Sequence, residues 1–109
     1  MKVLKFGGTS VGSVDSIRTL IEILKQEKSE RQSPIVVLSA MSGVTNLLIS
    51  MADRAAKGEE VSTFLKELEN RHFDVVKALL DVPRQNPVFT KLKLYFNQLE
   101  DLLQGISSL

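Results

Sequence analysis

Residues 2–10 read KVLKFGGTS: a short apolar strand signal, then two adjacent glycines, a threonine and a serine. Paired glycines cost chain entropy, so this bend has a use for a bare backbone. Upstream of it, residues 2–6 form a strand candidate. Downstream, from Ser10 to about Lys28, the period becomes helical, with Ile17, Leu20, Ile21 and Leu24 at i, i+3, i+4 and i+7 on one face. Thr9 or Ser10 is the expected cap, and Asp15 stands early in the helix, where the dipole favours a negative charge. A polar connection, KSERQSP (28–34), leads to PIVVLSAM (34–41), an apolar run with the pattern of a strand buried on both faces of a parallel sheet. The unit is therefore strand–helix–strand, with a right-handed crossover expected.

Beyond the second strand, Ser42 is placed to cap a helix with Val44, Leu47, Leu48, Met51, Ala52 and Ala55 on its inner face, ending near Lys57-Gly58. The chain then changes character. Val61, Leu65, Leu68, His72, Val75 and Leu79 alternate steps of four and three, and so do Val88, Leu92, Tyr95, Leu99, Leu102 and Ile106. Joined by DVPRQNP (81–87), the two stripes predict an antiparallel helical hairpin. The expected organisation is a βαβα unit over 1–58 and the hairpin over 59–109.

The totals narrow the function classes. With 14 Lys+Arg against 13 Asp+Glu, a net charge of +1 gives no electrostatic case for nucleic acid or an anionic membrane surface. The absence of cysteine removes disulfides and thiolate metal sites. No apolar run has the length of a signal core or a membrane span, so a cytoplasmic protein is expected.

Chemistry is expected where loops leave the carboxyl ends of the strands. There are two such exits, FGGTS (6–10) and SAMSGVTN (39–46), both small, hydroxyl-rich and leading into a helix N-terminus, where free N–H groups attract anions. Gly7 and Gly8 would let main-chain N–H groups approach an anionic oxygen, and Lys5 would add a full positive charge. Gly7 to Gly12 matches the glycine spacing of a P-loop, yet Ser13-Val14 stands where that motif requires Lys-Ser/Thr. On the residues a plain tight turn and an anion cradle both stay open. His72 reads as a packing residue or hydrogen-bond partner, not as a ligand. Tyr95 and Phe96 read as core, and Met41 and Met51 as gap-fillers. Asp53–Lys57 and Glu67–Arg71 are i,i+4 pairs on solvated faces. No acidic residue follows either strand end closely enough to hold Mg²⁺, and no metal ligands are assigned.

KFGGTSV (5–11), followed about thirty residues on by VVLSAMSGVTNLL (36–48), resembles the start of the aspartate kinases, both monofunctional enzymes and bifunctional aspartokinase–homoserine dehydrogenases. The closing QGISSL (104–109) is similar to the segment after the helical hairpin in the bifunctional form. The resemblance implies the N-terminal part of the amino-acid kinase (carbamate kinase-like) α/β fold. It implies transfer of the γ-phosphate of ATP, with Mg²⁺, to the β-carboxylate of L-aspartate, opening lysine, threonine and methionine biosynthesis. Lys5 is the implied catalytic residue, neutralising the phosphoryl group in flight. Lys5, Phe6, Gly7, Gly8, Thr9 and Ser10 would hold the phosphates, and Ser39 and Thr45 the aspartate.

The chain covers only the first part of such a domain, so the 109-residue piece is expected to be inactive alone and to self-associate as a homo-oligomer, by strand or helix exchange. Two alternatives stand beside this reading: another amino-acid kinase superfamily member with a different acceptor, and a non-catalytic α/β interaction module.

Overall fold

The computed structural model describes residues 2–29 and 33–109. Residues 30–32 of the polar connection lie outside that range, as does Met1. The element order is β1 (Val3–Phe6), α1 (Val14–Ser29), β2 (Ile35–Leu38), α2 (Val44–Ala56), α3 (Ser62–Leu79) and α4 (Val82–Ser107). Two compact units divide the chain, residues 1–45 and residues 46–109. No helix among the described residues is long and apolar enough to cross a membrane.

In the first unit β1 and β2 pair in parallel, with Val3 opposite Ile35 and Phe6 opposite Leu38. Ile35 N–H donates to the Lys2 carbonyl at 2.9 Å and Ser39 N–H to the Phe6 carbonyl at 3.0 Å, so the ladder is bonded from end to end. The Lys2 ammonium meets the Glu27 carboxylate at 2.9 Å, tying the start of β1 to the last turns of α1. Val11, Leu20 and Val44 are buried.

Two expectations are corrected here. The first helix does not start at Ser10 under a Thr9 or Ser10 cap. The Ser13 hydroxyl accepts from Ser16 N–H at 3.1 Å, so Ser13 is the cap and α1 begins at Val14. The intervening residues turn instead, with Ser10 N–H donating to the Gly7 carbonyl and Gly12 N–H to the Thr9 carbonyl. Nor is β2 buried on both faces. Ile35, Val36, Val37 and Leu38 are all between 36% and 56% exposed, because a two-stranded ribbon gives neither strand enough neighbours to cover it.

In the second unit α2 ends as its sequence suggests. Gly58 takes φ +73°, its N–H donates to the Ala55 carbonyl, and Glu59 N–H donates to the Arg54 carbonyl at 2.9 Å. This is the paired bonding of a Schellman stop, for which glycine is the low-strain residue. The Asp53–Lys57 pair forms at 3.4 Å. The Glu60 carboxylate then accepts from Val61 N–H and Ser62 N–H, each at 3.1 Å, serving the otherwise unbonded amides where α3 starts. Those bonds, from Ser62 foremost, hold its carboxyl below the ordinary glutamate range.

Helices α3 and α4 form the expected antiparallel hairpin. Phe73 meets Phe89 edge-on at 5.3 Å near the connection and Lys93 bonds Glu69 at 3.0 Å one turn further from it, so the two helices run in opposite directions. The connection is shorter than DVPRQNP. Helix α4 already begins at Val82, under an Asp81 cap whose side chain accepts from Arg84 N–H at 3.2 Å. Pro83 falls in the first turn, where a missing N–H costs no bond, and Pro87 one turn later, opposite the Pro83 carbonyl. The inner stripe of α4 also differs. Phe96 and Leu103 are buried, whereas Tyr95 and Leu102 are 55% and 67% exposed. His72 packs as expected, and its Nδ1 bonds the Leu68 carbonyl of its own helix at 2.8 Å.

Candidate functional site

Parallel pairing of Phe6 with Leu38 sends both exit loops out at the same rim of the sheet. They also touch. A Cβ built on Gly8 would lie 3.4 Å from the Ala40 carbonyl oxygen and 3.7 Å from the Ser42 Cα. The residues expected to hold phosphate and those of the second loop are therefore neighbours within the first unit.

The glycine pair can be judged against the plain-turn reading. A turn demands glycine where φ is positive or where a Cβ would collide. Among the described residues, positive φ occurs at Gly43 (φ 83°) and Gly58, not at Gly7 or Gly8. A Cβ on Gly7 would meet no protein atom within 4 Å, and one on Gly8 would make only ordinary contacts. The fold does not ask for glycine at position 7. The N–H groups of Gly7 and Gly8 donate to no main-chain acceptor among the described residues. Open space beside unused donors is what an anionic oxygen requires.

Lys5 precedes the end of β1 by one residue and stands opposite Val37 in the ladder. By strand alternation it shares a face with Val3, while Phe6 points to the other face with Leu4. Lys5 is exposed and has no ion-pair or hydrogen-bond partner among the described residues, in contrast to Lys2 on Glu27. Thr9 and Ser10 are exposed in the turn, with Ser10 N–H already committed to Gly7. Ser39 is exposed at the end of β2, its N–H closing the ladder and its hydroxyl without a partner among the described residues. Thr45 is exposed in the first turn of α2. That turn contains no acidic residue, whereas α1 carries Asp15 in its first turn, so the α2 end is the more receptive to a carboxylate.

Three further residues shape the loops without a strong signal in the sequence. Val11 is buried and anchors the turn. Gly43 supplies the left-handed step from Ser42 into α2. Gly12 lies closest to its surroundings, its Cβ position 3.0 Å from the Gly8 carbonyl oxygen and 3.1 Å from the Ser42 Cβ. The Gly-to-Gly spacing of the sequence pointed at Gly12, but for the wrong motif.

A parallel strand–helix–strand unit with two small loops at one rim, and beside them a lysine without a partner among the described residues, defines an α/β protein. The chain belongs to the amino acid kinase family, whose sequence model matches residues 1–99. The curated relatives are aspartokinases, as the two motifs implied. The chain is 41% identical over 73 residues to the aspartokinase of Rickettsia prowazekii (67% of this chain, 15% of the relative). It is 34% identical over 100 residues to that of Chlamydia trachomatis (92% and 22%). To a bifunctional aspartokinase/homoserine dehydrogenase of Buchnera aphidicola it is 28% identical over 109 residues (97% and 13%). The chain thus spans between 13% and 22% of the length of these relatives.

Proposed function

We propose that this chain forms the phosphate- and aspartate-holding corner of a cytoplasmic aspartate kinase. The reaction moves the γ-phosphoryl group of ATP to the β-carboxylate of L-aspartate: the phosphorus–oxygen bond to ADP breaks as one to a carboxylate oxygen forms, giving an acyl phosphate. Such transfer asks of a protein mainly positioning and donors aimed at developing charge. In this reading the Gly7 and Gly8 amides, with the Thr9 and Ser10 hydroxyls, hold phosphate oxygens beside Phe6. The Lys5 ammonium offsets the charge of the group in transit, and the Ser39 and Thr45 hydroxyls donate to the aspartate. The observation that carries the reading is the junction of the two loops at Gly8, Ala40 and Ser42, with the Gly7 and Gly8 amides donating to no main-chain acceptor among the described residues. Among the described residues no group of three His, Cys, Asp or Glu could hold a metal, and no step is assigned to Mg²⁺.

Two arms test the reading. With ATP, Mg²⁺, aspartate and hydroxylamine, a kinase of full relative length carrying this segment should form aspartyl hydroxamate from the trapped acyl phosphate. The 109-residue chain should form none above background. Absence of hydroxamate from the longer protein sinks the assignment, and turnover by the short chain sinks the claim that it is only a corner.

Self-association is the second part of the proposal, supported by the apolar exposure of β2 and its open strand edge. Light scattering of the 109-residue chain should give a mass above that of a monomer, rising with concentration. A monomer throughout would remove this part.

A further inference from the structure

We propose that Gly12 and Ser42 are positioning residues that lock the phosphate loop against the second loop and so aim its donor amides; this rests on the anion-site reading above. Ser10 N–H donates to the Gly7 carbonyl at 3.0 Å and Gly12 N–H to the Thr9 carbonyl at 3.3 Å, so two successive turns fold the chain back over itself. Buried Val11 pins the returning limb. The result is that Gly12 sits over the peptide it must not disturb. A Cβ there would come within 3.0 Å of the Gly8 carbonyl oxygen and 3.3 Å of the Thr9 carbonyl oxygen. Gly12 has no positive φ, so the requirement is for space and not for an unusual backbone.

The Gly8 carbonyl and the Thr9 N–H belong to one rigid peptide plane. Pushing the oxygen away from position 12 therefore tilts that N–H, which donates to no main-chain acceptor among the described residues. Ser42 closes the arrangement from the other loop. Its Cβ would be 3.1 Å from a Cβ at position 12, and its Cα 3.7 Å from one at position 8. One residue of the second loop thus abuts both ends of the fold-back, and the left-handed Gly43 behind it (φ 83°) turns the chain into α2. Whatever displaces Gly12 or Ser42 therefore shifts the donors of the glycine loop.

The test follows backbone amide resonances of the 109-residue chain during titration with inorganic pyrophosphate. In the unsubstituted chain the Gly7, Gly8 and Thr9 amides should move together. Gly12→Ala should weaken binding about tenfold, the equivalent of one well-aimed hydrogen bond. Adding Ser42→Gly, which removes the neighbour at 3.1 Å, should recover at least threefold of that loss. A merely structural role would move the urea midpoint of the variants and leave the pyrophosphate affinity of the folded chain unchanged. Ser42→Val, which thickens the same contact from the second loop, should weaken binding on its own and carries the test if Gly12→Ala does not fold. Unchanged affinity in Gly12→Ala, or in Ser42→Val where that variant carries the test, overturns the proposal, as does a double variant no better than Gly12→Ala. Lys5→Ala separates the two levels. If pyrophosphate moves no loop amide in the unsubstituted chain, the anion site itself falls. If it binds and Lys5→Ala weakens it while Gly12→Ala and Ser42→Val do not, only this inference falls.

Discussion

Lys5→Ala, placed in a kinase of full relative length that carries this segment, is expected to lower turnover about 10²–10³-fold, the usual effect of removing one preorganised charge-stabilising donor. The placement of Lys5 motivates this expectation. Lys5 is exposed beside the glycine loop and has no partner among the described residues, so no internal contact accounts for an ammonium there. The same fact predicts little change in stability, within about 0.5 kcal/mol, as for other surface substitutions that break no contact. The loss should appear in kcat more than in the KM for aspartate, because the positive charge matters most while the phosphoryl group is between its two oxygens. Lys2→Ala is the control. Its ammonium is held by Glu27 at 2.9 Å, at the far end of β1, so it should cost up to about 1 kcal/mol of stability and leave turnover alone. Turnover within threefold of the unsubstituted enzyme for Lys5→Ala would remove Lys5 from the chemistry.

The rim that Lys5 stands on was legible before any coordinates. A short strand, a helical stretch and a second apolar run admit few arrangements other than a parallel pair, and a parallel pair must deliver both loops to one side. What could not be read was which glycine of the loop sits tightest against its surroundings. GlyGly at 7–8 drew attention because adjacent glycines are conspicuous, yet Gly12 is the one pressed against the Gly8 carbonyl and Ser42. That contact comes from a fold-back of successive turns, which has no periodic signature. The same turns displaced the start of α1 from Ser10 to Val14: Thr9, Ser10 and Ser13 are all competent caps by composition, and only the path of the loop selects Ser13.

Burial of β2 was misjudged for a related reason. An uninterrupted apolar run reports the surroundings a strand is suited to, whereas exposure of Ile35–Leu38 reports the neighbours it has in a two-stranded ribbon. The hairpin shows a third kind of limit. On α4 apolar residues come in adjacent pairs, Val88-Phe89, Tyr95-Phe96 and Leu102-Leu103, so two stripes one residue apart fit the same periodicity. The structure buries Phe96 and Leu103. Chemistry favours that choice at the middle pair: a phenyl ring has no polar atom to satisfy, while the tyrosine hydroxyl keeps its hydration by staying outside.

The stripe assignment leads to the largest expected stability effect. Phe96→Ala should destabilise the helical unit by about 3–5 kcal/mol, the range for emptying a buried aromatic site. Phe96 is 6% exposed and receives two edge-on rings, His72 at 5.4 Å and Phe73 at 6.0 Å. Both contacts cross from α3 to α4, so the substitution removes packing that joins the helices instead of packing within one of them. Tyr95→Ala, one residue away and 55% exposed, should change stability by no more than about 0.5 kcal/mol. Urea unfolding followed by far-ultraviolet circular dichroism compares the two variants directly, since α3 and α4 account for much of the helical signal. A shared midpoint, or a larger loss for Tyr95→Ala, would mean that α4 turns its other stripe toward α3, with Tyr95 and Leu102 inside. A difference of several kcal/mol in the expected direction would fix the rotation of α4 about its axis, because residues 95 and 96 lie about 100° apart around the helix and a rotation that points one straight at α3 turns the other aside.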